Sequence, residues 1–93
     1  MTDIHIKQMP AFKRAYKKLH DQDKLKVNLA ILEILRDPTL GQEKKGDLAG
    51  ICVYKFKIHR KEMLLAYEWN PQERLLLSLG VHENFYRNLK NLI

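Results

Sequence analysis

Apolar and polar residues change their spacing several times along this 93-residue chain, and each change marks an element. In "DIHIKQM", Ile4 and Ile6 alternate with His5 and Lys7, the two-residue period of a strand, which should stop at Pro10. From Ala11 the period lengthens. Phe12, Ala15, Tyr16 and Leu19 share one helical face, while Lys13, Arg14, Lys17 and Lys18 take the other, and Pro10 suits the first turn. After "HDQDK", in which Asp21 or Asp23 is expected to cap, Lys24 to Arg36 predicts a second helix. Its broad apolar face is read from Leu25, Val27, Leu29, Ile31, Leu32, Ile34 and Leu35, and "DPTLG" ends it. So short a link between the two predicts an antiparallel helical hairpin.

A Gly- and Lys-containing loop from Asp37 to Gly50 leads into the most regular part of the chain. Cys52, Tyr54, Phe56 and Ile58 alternate with Val53, Lys55, Lys57 and His59, as in a half-buried strand. "HRKE" makes a turn, Met63 to Trp69 a second strand, "NPQE" another turn, and Arg74 to Leu79 a third strand, so the three form an antiparallel meander. The apolar run Leu75 to Leu79 predicts burial on both faces. Phe85, Leu89 and Leu92 then have helical spacing within a short closing helix from Glu83 to Ile93. The expected fold is α+β: an N-terminal strand, a helical hairpin, an antiparallel β-meander and a short C-terminal helix, in one domain spanning residues 1–93.

Charge adds a class of partner. Seventeen Lys and Arg against eleven Asp and Glu leave a net charge of +6, an excess that favours polyanions, including the ribosome, or an acidic protein. The opening "MTDIHIKQMP" is polar where a secretion signal needs an apolar core, and no run approaches the roughly 20 apolar residues of a membrane span. The single cysteine, Cys52, has no partner for an internal disulfide and reads as a small buried hydrophobe. A soluble, cytoplasmic protein without a membrane partner is expected.

Lys55 and Lys57, two residues apart on one strand, place two ammonium groups about 7 Å apart on the face opposite Tyr54 and Phe56, with His59 beyond them. That spacing suits successive phosphates and equally suits a solvated outer face. His82 follows the third strand, and Tyr86 lies four residues on, within reach along a helix. An imidazole that titrates near neutrality, a phenol and nearby cations are the groups phosphodiester cleavage needs. A helix cap and a packing tyrosine are the other reading. Glu83 is explained by the helix dipole. His5 and His20 read as surface residues, and no histidine pair has metal-ligand spacing, so neither metal nor cofactor is implied.

The order of elements, together with "KKGDLAGICVYKFKI", "LLAYEW" and "LSLGVHENFY", resembles the RelE/ParE superfamily of bacterial toxins from type II toxin-antitoxin systems, over nearly the whole chain. The resemblance implies a toxin that, if RelE-like, cuts mRNA in the ribosome. Lys55 and Lys57 then match the lysines that bind and activate the phosphate. His82 matches the acid or base after the last-strand glycine, and Tyr86 matches the tyrosine that orients the nucleotide, one residue closer to that glycine than in some members. Leu64 departs from the pattern, standing where RelE-like nucleases carry arginine, and the nearby Arg60, Lys61 or Arg74 would have to replace it. His59, Arg60, Lys61, Arg74 and Arg87 are therefore expected to bind nucleic acid beside Lys55 and Lys57. The alternative is a ParE-like inhibitor of DNA gyrase without nuclease residues. Both imply a cognate antitoxin that folds against the basic face and the groove beside the helical hairpin.

Overall fold

The computed structural model describes residues 3–81 and 85–91. Along them run β1 (His5–Gln8), α1 (Pro10–Lys17), α2 (Asp21–Arg36), β2 (Gln42–Glu43), β3 (Cys52–Ile58), β4 (Lys61–Asn70), β5 (Glu73–Val81) and α3 (Phe85–Lys90). The α+β class and the antiparallel meander β3, β4, β5 are as the periodicity predicts. Two strands widen the sheet to the order β1-β5-β4-β3-β2. β1 runs parallel to β5, with Ile6 beside Arg74, whereas β2 lies in the segment read as loop and is only two residues long. Periodicity cannot reveal so short a strand. A bulge opposite Ala66 and Tyr67 leaves Leu77 unpaired on β5, and this extra residue lets both Leu76 and Leu79 join the core beneath the helices.

α1 and α2 cover one face of the sheet. Pro10 occupies the first turn of α1, as expected. The cap of α2 differs from expectation: His20 holds the N-cap position without a side-chain bond, and Asp21 and Asp23 lie in the first turn, where they offset the positive end of the helix. The helices are joined by the Tyr16 hydroxyl, which donates to Asn28 Oδ1 at 2.8 Å, and by Lys24 Nζ, 5.6 Å from the Tyr16 ring centroid. The broad apolar face of α2 proves to be two faces. Val27, Ala30 and Ile34 are buried toward the sheet, while Leu25, Leu29 and Leu32 are exposed.

The C-terminal end of α2 is fastened to the sheet by two buried side chains. Arg74, on β5, is only 3% exposed. Its Nε donates to the Ile34 carbonyl at 2.9 Å and its Nη2 to the Leu35 carbonyl at 3.0 Å, two acceptors that the last helical turn leaves without partners. Nη1 donates to the carbonyls of Asn70 at 2.7 Å and Glu73 at 3.1 Å, and the guanidinium lies 5.7 Å from the Trp69 ring centroid. Trp69, expected in the core, is instead 40% exposed beside this arginine. Just after α2, the Tyr67 hydroxyl donates to the Pro38 carbonyl at 2.6 Å and accepts from the Gly41 N–H at 2.9 Å. A Cβ at Gly41 would come within 2.5 Å of the Tyr67 hydroxyl, so this close approach requires glycine.

The second face is covered by α3, whose Phe85 and Leu89 pack with Leu64, Ala66 and Leu77 and with Leu48, Ile51 and Val53. The run Leu75 to Leu79 therefore lies between two layers, as its composition predicts. Leu92 lies outside the described residues.

Replacing Arg74 by Met leaves four carbonyls without their donor and should cost about 2–4 kcal/mol, a fall in Tm on the order of 10 °C or more for a domain of this size by thermal melting. Burial pushes the Tyr67 hydroxyl from the usual 10 up to about 12, opposed by its bond from Gly41. Because the folded value is the higher one, the contribution of Tyr67 is complete below pH 10 and is lost as pH rises from 10 to 12. In denaturant titrations Tyr67→Phe should be less stable than wild type at pH 8, by about 1–2 kcal/mol, and the difference should shrink toward pH 12.

Candidate functional site

β3 alternates its side chains between the two covered faces, and the register shows where its lysines emerge. Val53 pairs with Ala66 and lies beneath the α3 layer. Two residues on, Lys55 pairs with Leu64, which in turn pairs with Gly80; a further two on, Lys57 pairs with Glu62. Lys55 and Lys57 are both exposed and share the face that carries α3. At strand spacing, the backbones of Lys55 and Gly80 are about 10 Å apart across β4. The face expected to be open is thus partly roofed: α3 covers the β4 and β5 side, and the lysine pair stands clear of it on β3.

His82 lies outside the described residues, between the end of β5 at Val81 and the start of α3 at Phe85. β5 itself runs past Leu79 to include Gly80 and Val81. Gly80 is not sterically obligatory, since a Cβ there would meet only Phe85 Cδ1 at an ordinary 3.6 Å.

Tyr86 is half-buried in the first turn of α3, with its ring edge-on to Phe85 at 5.3 Å between centroids. Lys44 Nζ lies 5.1 Å from the Tyr86 ring centroid. Lys44, Lys45, Asp47, Leu48, Tyr86 and Lys90 line a cleft of about 400 Å³ on this side of the sheet. The backbone places it: Lys44 N–H donates to the Ile51 carbonyl at 2.8 Å, so the lysine run is held beside the start of β3. Lys55 lies four residues farther along that strand, about 13 Å away. Lys90 adds a cation from α3, loosely paired with Asp47 at 4.0 Å. Lys44, Lys45 and Lys90 were not singled out from the sequence. The signal was the "EKKGD" run, which looks like any solvated loop until β2 anchors it against β3.

The other cations expected to bind nucleic acid are dispersed. Arg87 is exposed on α3. His59 and Arg60 form the tip of the β3–β4 hairpin, both with positive φ, of 51° and 73°. His59 does not continue the lysine row: its Nε2 lies 2.9 Å from Asp23 Oδ1 on α2, which draws the ring to the helix side. Lys61 lines a groove of about 500 Å³ on that same side with Lys18, Asp23 and Val81. Arg74 is a correction. With its guanidinium buried against four carbonyls it is unavailable to a phosphate and is a structural residue.

Leu64 is fully buried in the row between Lys55 and Gly80, beneath Phe85 and Leu89. None of the proposed replacements reaches its place: Arg74 is sequestered, Lys61 lies on the helix side and Arg60 sits at the hairpin tip. Cys52 is buried, and burial pushes its thiol up, away from the reactive thiolate. Among the described residues, no group of three or more His, Cys, Asp or Glu could hold a metal ion, and no helix is long and apolar enough to cross a membrane.

A family model, ParE-like toxin of type II bacterial toxin-antitoxin system, matches residues 6–90. Among solved structures, the chain is similar to one in the intact RelBE toxin-antitoxin complex of E. coli, with a TM-score of 0.68, 17% identity and coverage of 86% of this chain and 98% of that one. The RelBE2 toxin-antitoxin complex of Mycobacterium tuberculosis gives a TM-score of 0.72 at 16% identity, covering 87% and 100%. The YoeB/ParE toxin of Agrobacterium tumefaciens gives 0.68 at 19%, covering 85% and 99%. A search of curated proteins finds no match by sequence.

The roof over Leu64 can be tested directly. Leu64→Arg would place an unpaired charge beneath α3 and should lower stability by about 3 kcal/mol or more in a denaturant titration. An unchanged midpoint would mean that α3 does not hold that position closed.

Proposed function

Since the chain belongs to the ParE-like toxins of type II bacterial toxin-antitoxin systems, we propose that it is the toxin of such a pair and acts in the cytoplasm as a ribosome-dependent mRNA endonuclease, restrained by its antitoxin. The observation that carries this reading is the exposed pair Lys55 and Lys57 on the sheet face that also bears Tyr86 and the cleft of Lys44, Lys45 and Lys90. A single-stranded backbone laid along β3 would meet cations at both places, and an aromatic ring within the cleft offers a surface for a base.

In the proposed reaction the 2′-hydroxyl oxygen attacks the adjacent phosphorus. One lysine of the pair, in its neutral form, takes the hydroxyl proton, while the other holds the phosphate oxygens as negative charge builds. The bond from phosphorus to the 5′-oxygen breaks, His82 supplies the proton to that oxygen, and Tyr86 orients the base. The products are a 2′,3′-cyclic phosphate and a 5′-hydroxyl, with no water consumed. Neither metal nor cofactor enters the scheme.

One observation favours a second reading. With Leu64 buried and no cation in its place, the face lacks the arginine of RelE-like nucleases, which suits a ParE-like inhibitor that binds DNA gyrase without chemistry.

Translation of a defined message with the purified protein, followed by primer extension, separates the two. Cuts within ribosome-bound codons should fall 10²–10⁴-fold in His82→Ala and also fall in Lys57→Ala, with both variants melting as wild type. Intact message, together with inhibited supercoiling by purified gyrase, would establish the second reading.

A further inference from the structure

α2 is apolar on two opposite sides, and only one of them belongs to the core. Val27 and Ile34 are completely buried against the sheet, whereas Leu25, Leu29 and Leu32 are 63%, 57% and 44% exposed. Isolated surface leucines need no account. These three are spaced four and then three residues apart, and Arg36 follows four beyond, so they form one line along the helix directly opposite its buried side. That is the repeat with which one helix packs lengthwise on another.

From this line we infer the seat of an amphipathic helix of the antitoxin, carrying apolar side chains at the same repeat with acidic residues beside them. The inference rests on the toxin-antitoxin reading but not on nuclease activity. Two features select this occupant over a second copy of the chain. At +6, two copies repel each other and an acidic partner is attracted. Three leucines also fall well short of the roughly 800 Å² that each partner contributes to a stable interface. A pair of chains meeting only there would not hold, whereas an extended partner that also reaches other parts of the toxin can use the line as one station. Exposed Lys26 and Arg36 flank and end it, against the single acid Glu33.

The test is titration of the purified antitoxin into wild type and into the double variant Leu25→Glu, Leu29→Glu, by calorimetry. Both positions are exposed, so the variant should melt as wild type, with antitoxin affinity roughly 100-fold weaker from the loss of two buried leucine contacts. Unchanged affinity in a normally folded variant would overturn the inference. So would sedimentation of the free wild type as a dimer that the double substitution makes monomeric, because the line would then belong to a second copy. Should the double variant fail to fold, Leu29→Cys carrying an environment-sensitive fluorophore replaces it: a blue shift on adding antitoxin supports the seat, and an unchanged spectrum overturns it. Message cleavage by the free toxin is measured separately, so an inactive protein whose antitoxin binding is lost in the variant would refute the nuclease reading and leave the seat standing.

Discussion

The hold of Arg74 on the end of α2 is the constraint on which the two-layer arrangement depends. A guanidinium removed from water is costly unless all its donors find acceptors, and here they find them on both sides of the layer boundary. Ile34 and Leu35 supply carbonyls from the helix, Asn70 and Glu73 from the hairpin that joins β4 to β5. The same contacts place positive charge at the negative end of the helix. Tyr67 fastens the next few residues, and the absence of a side chain at Gly41 permits it. Helix and sheet are thereby fixed at one end, while at the other α2 meets the β3–β4 turn through the bond between Asp23 and His59.

The opposite face follows a different logic. α3 has six residues, too few to persist as a helix without tertiary support. It is held by seating Phe85 and Leu89 on Leu64, Ala66 and Leu77, each such side chain contributing about 1.5–3 kcal/mol. A roof this short covers only part of a five-stranded sheet. The uncovered part is the stretch of β3 that carries lysine, and the rim of the roof is where Tyr86 meets the lysines of the preceding loop. Cations gather there because the apolar cover stops.

The strands and helices were legible because each has a clear period, and the double burial of β5 could be read from an unbroken run of leucines. Three features were not legible, each for a physical reason. A two-residue strand has no period, so β2 was hidden, and with it the placement of Lys44 beside β3. Arg74 reads as a surface cation because composition says nothing about carbonyls left bare by a helix far away in sequence. The leucines of α2 read as one broad face because counting apolar residues does not divide them by direction. Within the site, the two lysines and the tyrosine were found from alternation and resemblance, while the direction of His59 depended on a partner on another element.

The parallel pairing of β1 with β5 bears on how the molecule comes into being. β1 lies early in the chain, and its partners, Glu73 to Leu76, lie late. α1 also packs on β5, and the end of α2 waits for Arg74 on that same strand. As the chain leaves the ribosome, the first strand and both long helices are therefore made before the surface that organises them. Closing contacts so distant in sequence is entropically slow, which places assembly of the sheet late in folding. A nascent chain cut short before β5 would keep its hairpin of helices without a floor, and the basic face would never be framed.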